Sequence, residues 1–196
     1  GLGHFRKVYE TSLLIEAAAF LEVQAKLDRA NGPDTLDAKD GERLLRQTLL
    51  LYPKSTLAPV ITASLADYWM RNSLSQKSLS LYESARREYP FHPLSCLFQL
   101  GVAEQNYLLK DWKSAESTIQ MIFQKCDNMR VKVGAQIRQA EMKHHASREK
   151  LFPFYEKLAA NGSPIVNRFY PQILYNLGEF QFQKKNYPSS RFYYKE

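Results

Sequence analysis

Apolar residues recur along this chain at intervals of three and four, and short polar or proline-bearing stretches interrupt them. Between His4 and about Arg29, the residues Val8, Leu13, Leu14, Ala17, Ala18, Leu21 and Ala25 keep helical spacing with no breaker among them. Asn31-Gly32-Pro33 closes that helix, since Asn and Gly suit a left-handed cap and Pro suits the position just beyond it. The same alternation predicts helices at about 39–51, 56–71, 75–89, 94–110, 112–126, 130–148, 149–160, 170–184 and 187–196. No strand is predicted. Connections this short force neighbouring helices to run antiparallel, so the pattern is a run of helical hairpins.

Three of the hairpins superimpose. A small residue is followed twelve positions later by another: Ala66 and Ser78, Ala103 and Ala115, Gly178 and Ser190. An apolar residue precedes the first each time: Leu65, Val102, Leu177. Ser75, Trp112 and Tyr187 stand three before the second, and Tyr82, Ile119 and Tyr194 four after it. Small residues at both places let paired helices approach closely while large ones fill the space beside them. Ser78 to Ala115 is 37 residues, as is Pro53 to Pro90, and Ala115 to Ser190 is 75. A degenerate unit is therefore expected in between, at Val131 to Ala160, with two helices but no small-residue pair. The organisation predicted is an N-terminal degenerate hairpin (1–53) and repeats at about 54–90, 91–127, 128–164 (degenerate) and 165–196. The last is expected to be incomplete, because it stops inside its second helix.

In LYNLGEFQFQKKNYPSSRFYY, the residues Leu177, Gly178, Phe182, Asn186, Tyr187, Ser190 and Tyr194 fall where the tetratricopeptide repeat family places its Leu, Gly, aromatic, Asp/Asn, Tyr, small and aromatic residues. The chain resembles that family in this unit, less closely at 60–90 and 97–127, and weakly elsewhere. Its 37-residue step is longer than the family's usual 34. The resemblance implies an all-α, right-handed superhelix of antiparallel helix pairs that binds peptides along a concave face made by each first helix. Carried over position by position, that groove comprises Val60, Ala63, Asp67, Met70 and Arg71, then Leu97, Leu100, Glu104, Tyr107 and Leu108. The last unit adds Gln172, Tyr175, Glu179, Phe182 and Gln183.

The Lys and Asn that chaperone-binding members use to clamp a C-terminal carboxylate are absent, their places holding Ala63 and Asp67, or Tyr175 and Glu179. One groove position is acidic in all three units (Asp67, Glu104, Glu179), which implies a partner segment that is basic or offers backbone N–H groups. On that reading, Glu104→Lys with Glu179→Lys weakens partner binding without unfolding the chain. LYPKSTLAP (51–59) and REYPFHP (87–93) are similar to linkers of bacterial cell-envelope members of the family, among them the Tol-Pal-associated and outer-membrane-assembly lipoprotein groups.

Composition agrees with a folded helical chain: 44% hydrophobic, 24% charged and 13% aromatic, with only 8 Gly and 9 Pro among 196 residues. The net charge of +7 is scattered, with no cluster beyond Arg86-Arg87 and Lys184-Lys185, so nucleic-acid binding is not expected. No signal peptide or membrane span is visible, but the chain opens Gly1-Leu2-Gly3 without Met, so that absence carries no information. Cys96 and Cys126 form no metal or redox motif; they are either two buried small side chains or, in an oxidising compartment, a disulfide. His144-His145 with Glu141 suggests a metal, but adjacent residues on a helix point about 100° apart. His92 and Cys96, at i and i+4, have Pro93 between them and no third ligand. No phosphate loop, nucleophile elbow or HExxH occurs, and no cofactor is expected. The function expected is thus a non-enzymatic interaction scaffold. The alternatives are a regulatory domain serving a catalytic region elsewhere in a longer protein, and self-association.

Overall fold

The structure, a computed structural model, describes residues 17, 18, 20–23, 36–144, 148–160 and 170–195. Helix α1 contributes residues 17, 18 and 20–23. It is followed by α2 (Leu36–Leu51), α3 (Ala58–Arg71), α4 (Ser75–Glu88), α5 (Ser95–Leu108), α6 (Trp112–Lys125) and α7 (Met129–Lys143). A 3₁₀ turn (Arg148–Leu151) leads into α8 (Phe152–Ala160), and α9 (Tyr170–Gln183) and α10 (Tyr187–Lys195) complete the order. The protein is all-α, with no strand among the described residues. The long helix expected over 130–148 stops at Lys143 instead. The N-terminal hairpin's expected turn at Asn31-Gly32-Pro33 lies outside the described residues.

The turns within hairpins repeat in backbone detail. Ser73, Lys110 and Lys185 have φ values of 60°, 63° and 59°, and they lie 37 and 75 residues apart. Each stands two residues before the first residue of the next helix. Around Ser73 the amide of Leu74 donates to the carbonyl of Trp69 and that of Ser73 to Met70; around Lys185 the amides of Asn186 and Lys185 donate likewise to Gln181 and Phe182. This is the Schellman arrangement, in which a left-handed residue lets two amides satisfy the last carbonyls of the helix. The residue after the left-handed one then caps the next helix: Asp111 accepts from the Ser114 amide at 3.1 Å. Hydrogen bonds from Ser114 hold the Asp111 carboxyl below the usual carboxylate range. The Asp/Asn position read in the sequence is therefore a helix cap.

The linkers between hairpins repeat as well. Ser55 and Ala58 amides donate to the carbonyls of Tyr52 and Ser55, and 37 residues on, His92 and Ser95 amides donate to those of Tyr89 and His92. The Ser55 hydroxyl accepts from the Leu57 amide, and His92 Nδ1 from the Leu94 amide, both at 3.1 Å. His92 is thus a turn residue.

The chain packs as two compact units, Gly1–Leu109 and Lys110–Glu196. In the first, α3 is buried on two faces because it lies against α2 on one side and α4 and α5 on the other. Ile61, Leu65 and Tyr68 join Val23 and Leu45 in one cluster, whereas Ala63 and Ala66 join Tyr82, Ala85, Phe98 and Val102 in another. In the second unit, Val133, Ile137, Leu151, Tyr155, Ile173 and Leu177 form one core cluster. All six small residues of the repeat pattern are buried. The Ser78 hydroxyl donates to the Ala66 carbonyl at 2.9 Å, across twelve residues, which shows how closely the paired helices approach. Cys126 is buried and Cys96 half-buried, and neither is a free thiol, which favours the oxidised alternative.

Gln105 on α5 is fully buried, and neither its side-chain oxygen nor its nitrogen has a hydrogen-bond partner among the described residues. The same repeat position holds Tyr68, Met142 and Phe180. A buried unpaired amide costs about 1–3 kcal/mol, whereas Met has nearly the same shape and no such cost. Gln105→Met is expected to stabilise the chain by about 1 kcal/mol or more, read from the urea midpoint; an unchanged or lowered midpoint contradicts this.

Candidate functional site

The residues expected in the groove fall into two sets, one per unit. Asp67, Met70 and Arg71 lie on the last turns of α3, and Glu104 and Tyr107 lie on α5, which touches α3. Arg71 is exposed and the other four are half-buried. In the second unit Tyr175, Glu179, Phe182 and Gln183 share α9; Glu179 is half-buried and the rest are exposed. Two carried-over groove positions do not hold: Ala63 and Leu100 lie in the core, at 7% and 2% exposure. Helix stacking in this unit takes up those two positions and leaves the rest of that face partly exposed.

The acidic residues of that set have work inside their own hairpins. The Tyr82 hydroxyl, on α4, donates to the Asp67 carboxylate. The Tyr194 hydroxyl, on α10, donates to Glu179 Oε1 at 2.5 Å. In both cases first and second helices are clasped by a pair fifteen residues apart. Glu179 raises the Tyr194 hydroxyl above the usual tyrosine range through this hydrogen bond. In the 91–127 repeat the residue fifteen past Glu104 is Ile119, which has no hydroxyl to offer.

A fourth member of the series escaped the sequence reading. Glu141 on α7 is buried, accepts from the Tyr155 hydroxyl at 2.6 Å, and pairs with Arg138 Nη1 at 2.7 Å. Burial first, and then the Glu141 carboxylate, push the Tyr155 hydroxyl far above its ordinary range. The signal was present: a small residue followed by an acid recurs as Ala66-Asp67, Ala103-Glu104, Ala140-Glu141 and Gly178-Glu179, at steps of 37, 37 and 38. The degenerate repeat keeps the helix clasp while losing the second small residue. Glu141 is accordingly committed to Tyr155 and Arg138 rather than to the neighbouring histidines; His144 caps α7, and His145 lies outside the described residues. Among the described residues no group of three or more His, Cys, Asp or Glu side chains could hold a metal ion.

A concavity of the second unit lies elsewhere, among α6, α7 and α8, with a volume of about 990 Å³. Trp112 and Glu116 line it from α6, Gln139 and Lys143 from α7, and Phe154 and Lys157 from α8. The first unit has a smaller one of about 590 Å³, where Arg46 of α2, Trp69 of α3 and Lys77, Ser80 and Ser84 of α4 meet. The two occupy the same repeat register: Trp69, Ser80 and Ser84 stand 74 residues before Lys143, Phe154 and Leu158.

Comparison of the chain with protein-family models, with curated proteins and with solved structures finds no match.

Proposed function

We propose that this chain is a non-enzymatic interaction scaffold of the tetratricopeptide type, a right-handed superhelix of helix pairs that takes up a segment of a partner protein along its first helices. Tyr175 and Phe182 carry the reading: they lie two turns apart on α9, and each is 54% exposed. Aromatic side chains held in water on one helix suit recognition, because their burial by a partner supplies much of an interface's binding energy. They are also preoriented, Tyr175 by Tyr194 at a ring separation of 6.1 Å and Phe182 by Tyr187 at 5.7 Å, so binding them costs little ordering. Glu179 lies between them, and a carboxylate that accepts from Tyr194 retains capacity for a donor on the partner. The recurrence of turn, cap and linker at 37-residue steps supports the repeat architecture. A cell-envelope setting is part of the proposal, since neither cysteine is a free thiol and disulfides persist in oxidising compartments. No helix among the described residues is long and apolar enough to cross a membrane.

The test compares the protein with its Tyr175→Ala/Phe182→Ala variant as baits in an extract of the source organism, with recovered proteins quantified by mass spectrometry. Both side chains are exposed, so circular dichroism is expected to be unchanged. A specific partner should fall by about tenfold or more with the variant. Equal recovery of every protein would reject the α9 surface. Glu104→Lys with Glu179→Lys is a poorer probe than the sequence suggests, because the second change also removes the acceptor of Tyr194.

A further inference from the structure

We infer that the cleft among α6, α7 and α8 is a second binding site, for an acidic peptide segment that carries apolar or aromatic side chains. It goes beyond the groove reading, uses none of its residues, and stands without it. The volume of about 990 Å³ lies at the upper end of the range for sites that enclose a small ligand, and suits a few residues of extended chain.

The lining chemistry selects the occupant. Lys143 on the floor and Lys157 on the α8 wall are exposed ammonium groups with no hydrogen-bond or ion-pair partner among the described residues. Glu116, on α6, is the one acidic residue among the described lining residues. The cationic side is therefore the stronger, and it is unpaired. Trp112 and Phe154 offer aromatic faces to apolar side chains. Gln136 and Gln139 carry both donors and acceptors, as peptide bonds require.

The first unit has a cationic cleft at the same register, with its tryptophan at the repeat position of Lys143 rather than that of Trp112. Its cleft pairs Trp69 with Arg46 and Lys77 and has no acidic lining residue. Lys77 Nζ stands 5.9 Å from the centre of the Trp69 ring. The Trp69 indole N–H is shielded from water and has no acceptor among the described residues, and a carboxylate or peptide carbonyl would supply one. Each unit thus sets a cationic cleft beside a tryptophan, although the indoles come from different repeat positions.

The chain has two tryptophans, so Trp69→Phe leaves Trp112 as the sole indole reporter of the larger cleft. Phe fits this position because the indole N–H it removes makes no hydrogen bond. The probes are an acetylated octapeptide of alternating Glu and Leu and its Lys-Leu counterpart, titrated while Trp112 emission is followed. A saturable change with the Glu-Leu peptide and none with the Lys-Leu peptide is expected. Lys143→Glu/Lys157→Glu in the same background should weaken binding by about tenfold or more. Adding Tyr175→Ala/Phe182→Ala instead should leave it unchanged. No saturable change with the acidic probe, equal response to both probes, or indifference to the double charge reversal would overturn the proposal. Loss of binding in the α9 variant would do so too, by placing the probe on the other surface.

Discussion

Gly101→Val is expected to destabilise the first unit by about 3 kcal/mol, at the upper end of what overpacking a core costs. A Cβ on Gly101 would stand 2.6 Å from three ring atoms of Tyr82. That ring has no room to withdraw: Tyr82 is 2% exposed and its hydroxyl is tied to Asp67 on α3. The glycine is the means by which α5 packs against the face of the α3–α4 clasp. Urea unfolding should show the lowered midpoint, and Tyr82→Ala should couple to it. Tyr82→Ala alone is expected to cost about 3 kcal/mol or more through the cavity it leaves, and the double variant should cost well below the sum because valine occupies part of that cavity. Strict additivity would show that the two side chains do not compete for space. Gly178 is the informative contrast: its Cβ would come within 2.5 Å of the Tyr194 ring, but Tyr194 is 45% exposed and can swing aside. Gly178→Val should therefore be the milder change.

Glu141→Ala is expected to cost the second unit about 3 kcal/mol, because it leaves the Arg138 guanidinium and the buried Tyr155 hydroxyl without their shared acceptor. Arg138 keeps some access to water, which places the figure at the lower end for a broken buried pair. Tyr155 also sets a pH dependence. Unfolded tyrosine ionises near pH 10, and the folded hydroxyl holds its proton to higher pH. Its contribution is fully present below about pH 10 and is lost progressively as pH rises beyond that, since only the unfolded state releases the proton there. Unfolding free energy measured from pH 8 to 11 should decline more gently above pH 10 in Tyr155→Phe than in the parent. Parallel alkaline limbs would contradict the role given to Tyr155.

Much of this architecture was legible because its causes are local. Apolar spacing, the left-handed residues at Ser73, Lys110 and Lys185, the caps at Asp111 and Asn186, and the Tyr-Pro linkers each act over four or five residues. The 37-residue step then arises from repetition of those signals, and the observed helix ends fall close to those expected at most boundaries. Position on a helix face was legible only in part: of the positions carried over from the resemblance, Tyr175 and Phe182 are exposed, whereas Ala63 and Leu100 are buried.

Partnership across hairpins was not legible. Sequence places Asp67 and Glu179 on wet faces but cannot say whether a hydroxyl fourteen or fifteen residues away reaches them; that depends on helix separation, which small residues such as Ala66 and Ser78 set jointly. Glu141 carries the same lesson, since a loop of different length brings Tyr155 to it at a spacing of fourteen. The paired clefts are likewise products of docking, formed where second helices straddle a first helix, from residues that read individually as solvated lysines and stray aromatics. The chain's own residues thus determine a repeating helical hairpin by short-range chemistry. Which carboxylates clasp helices, which glycine is indispensable and where concave surface opens are settled only when those hairpins pack, because each depends on distances between groups that stand far apart along the chain.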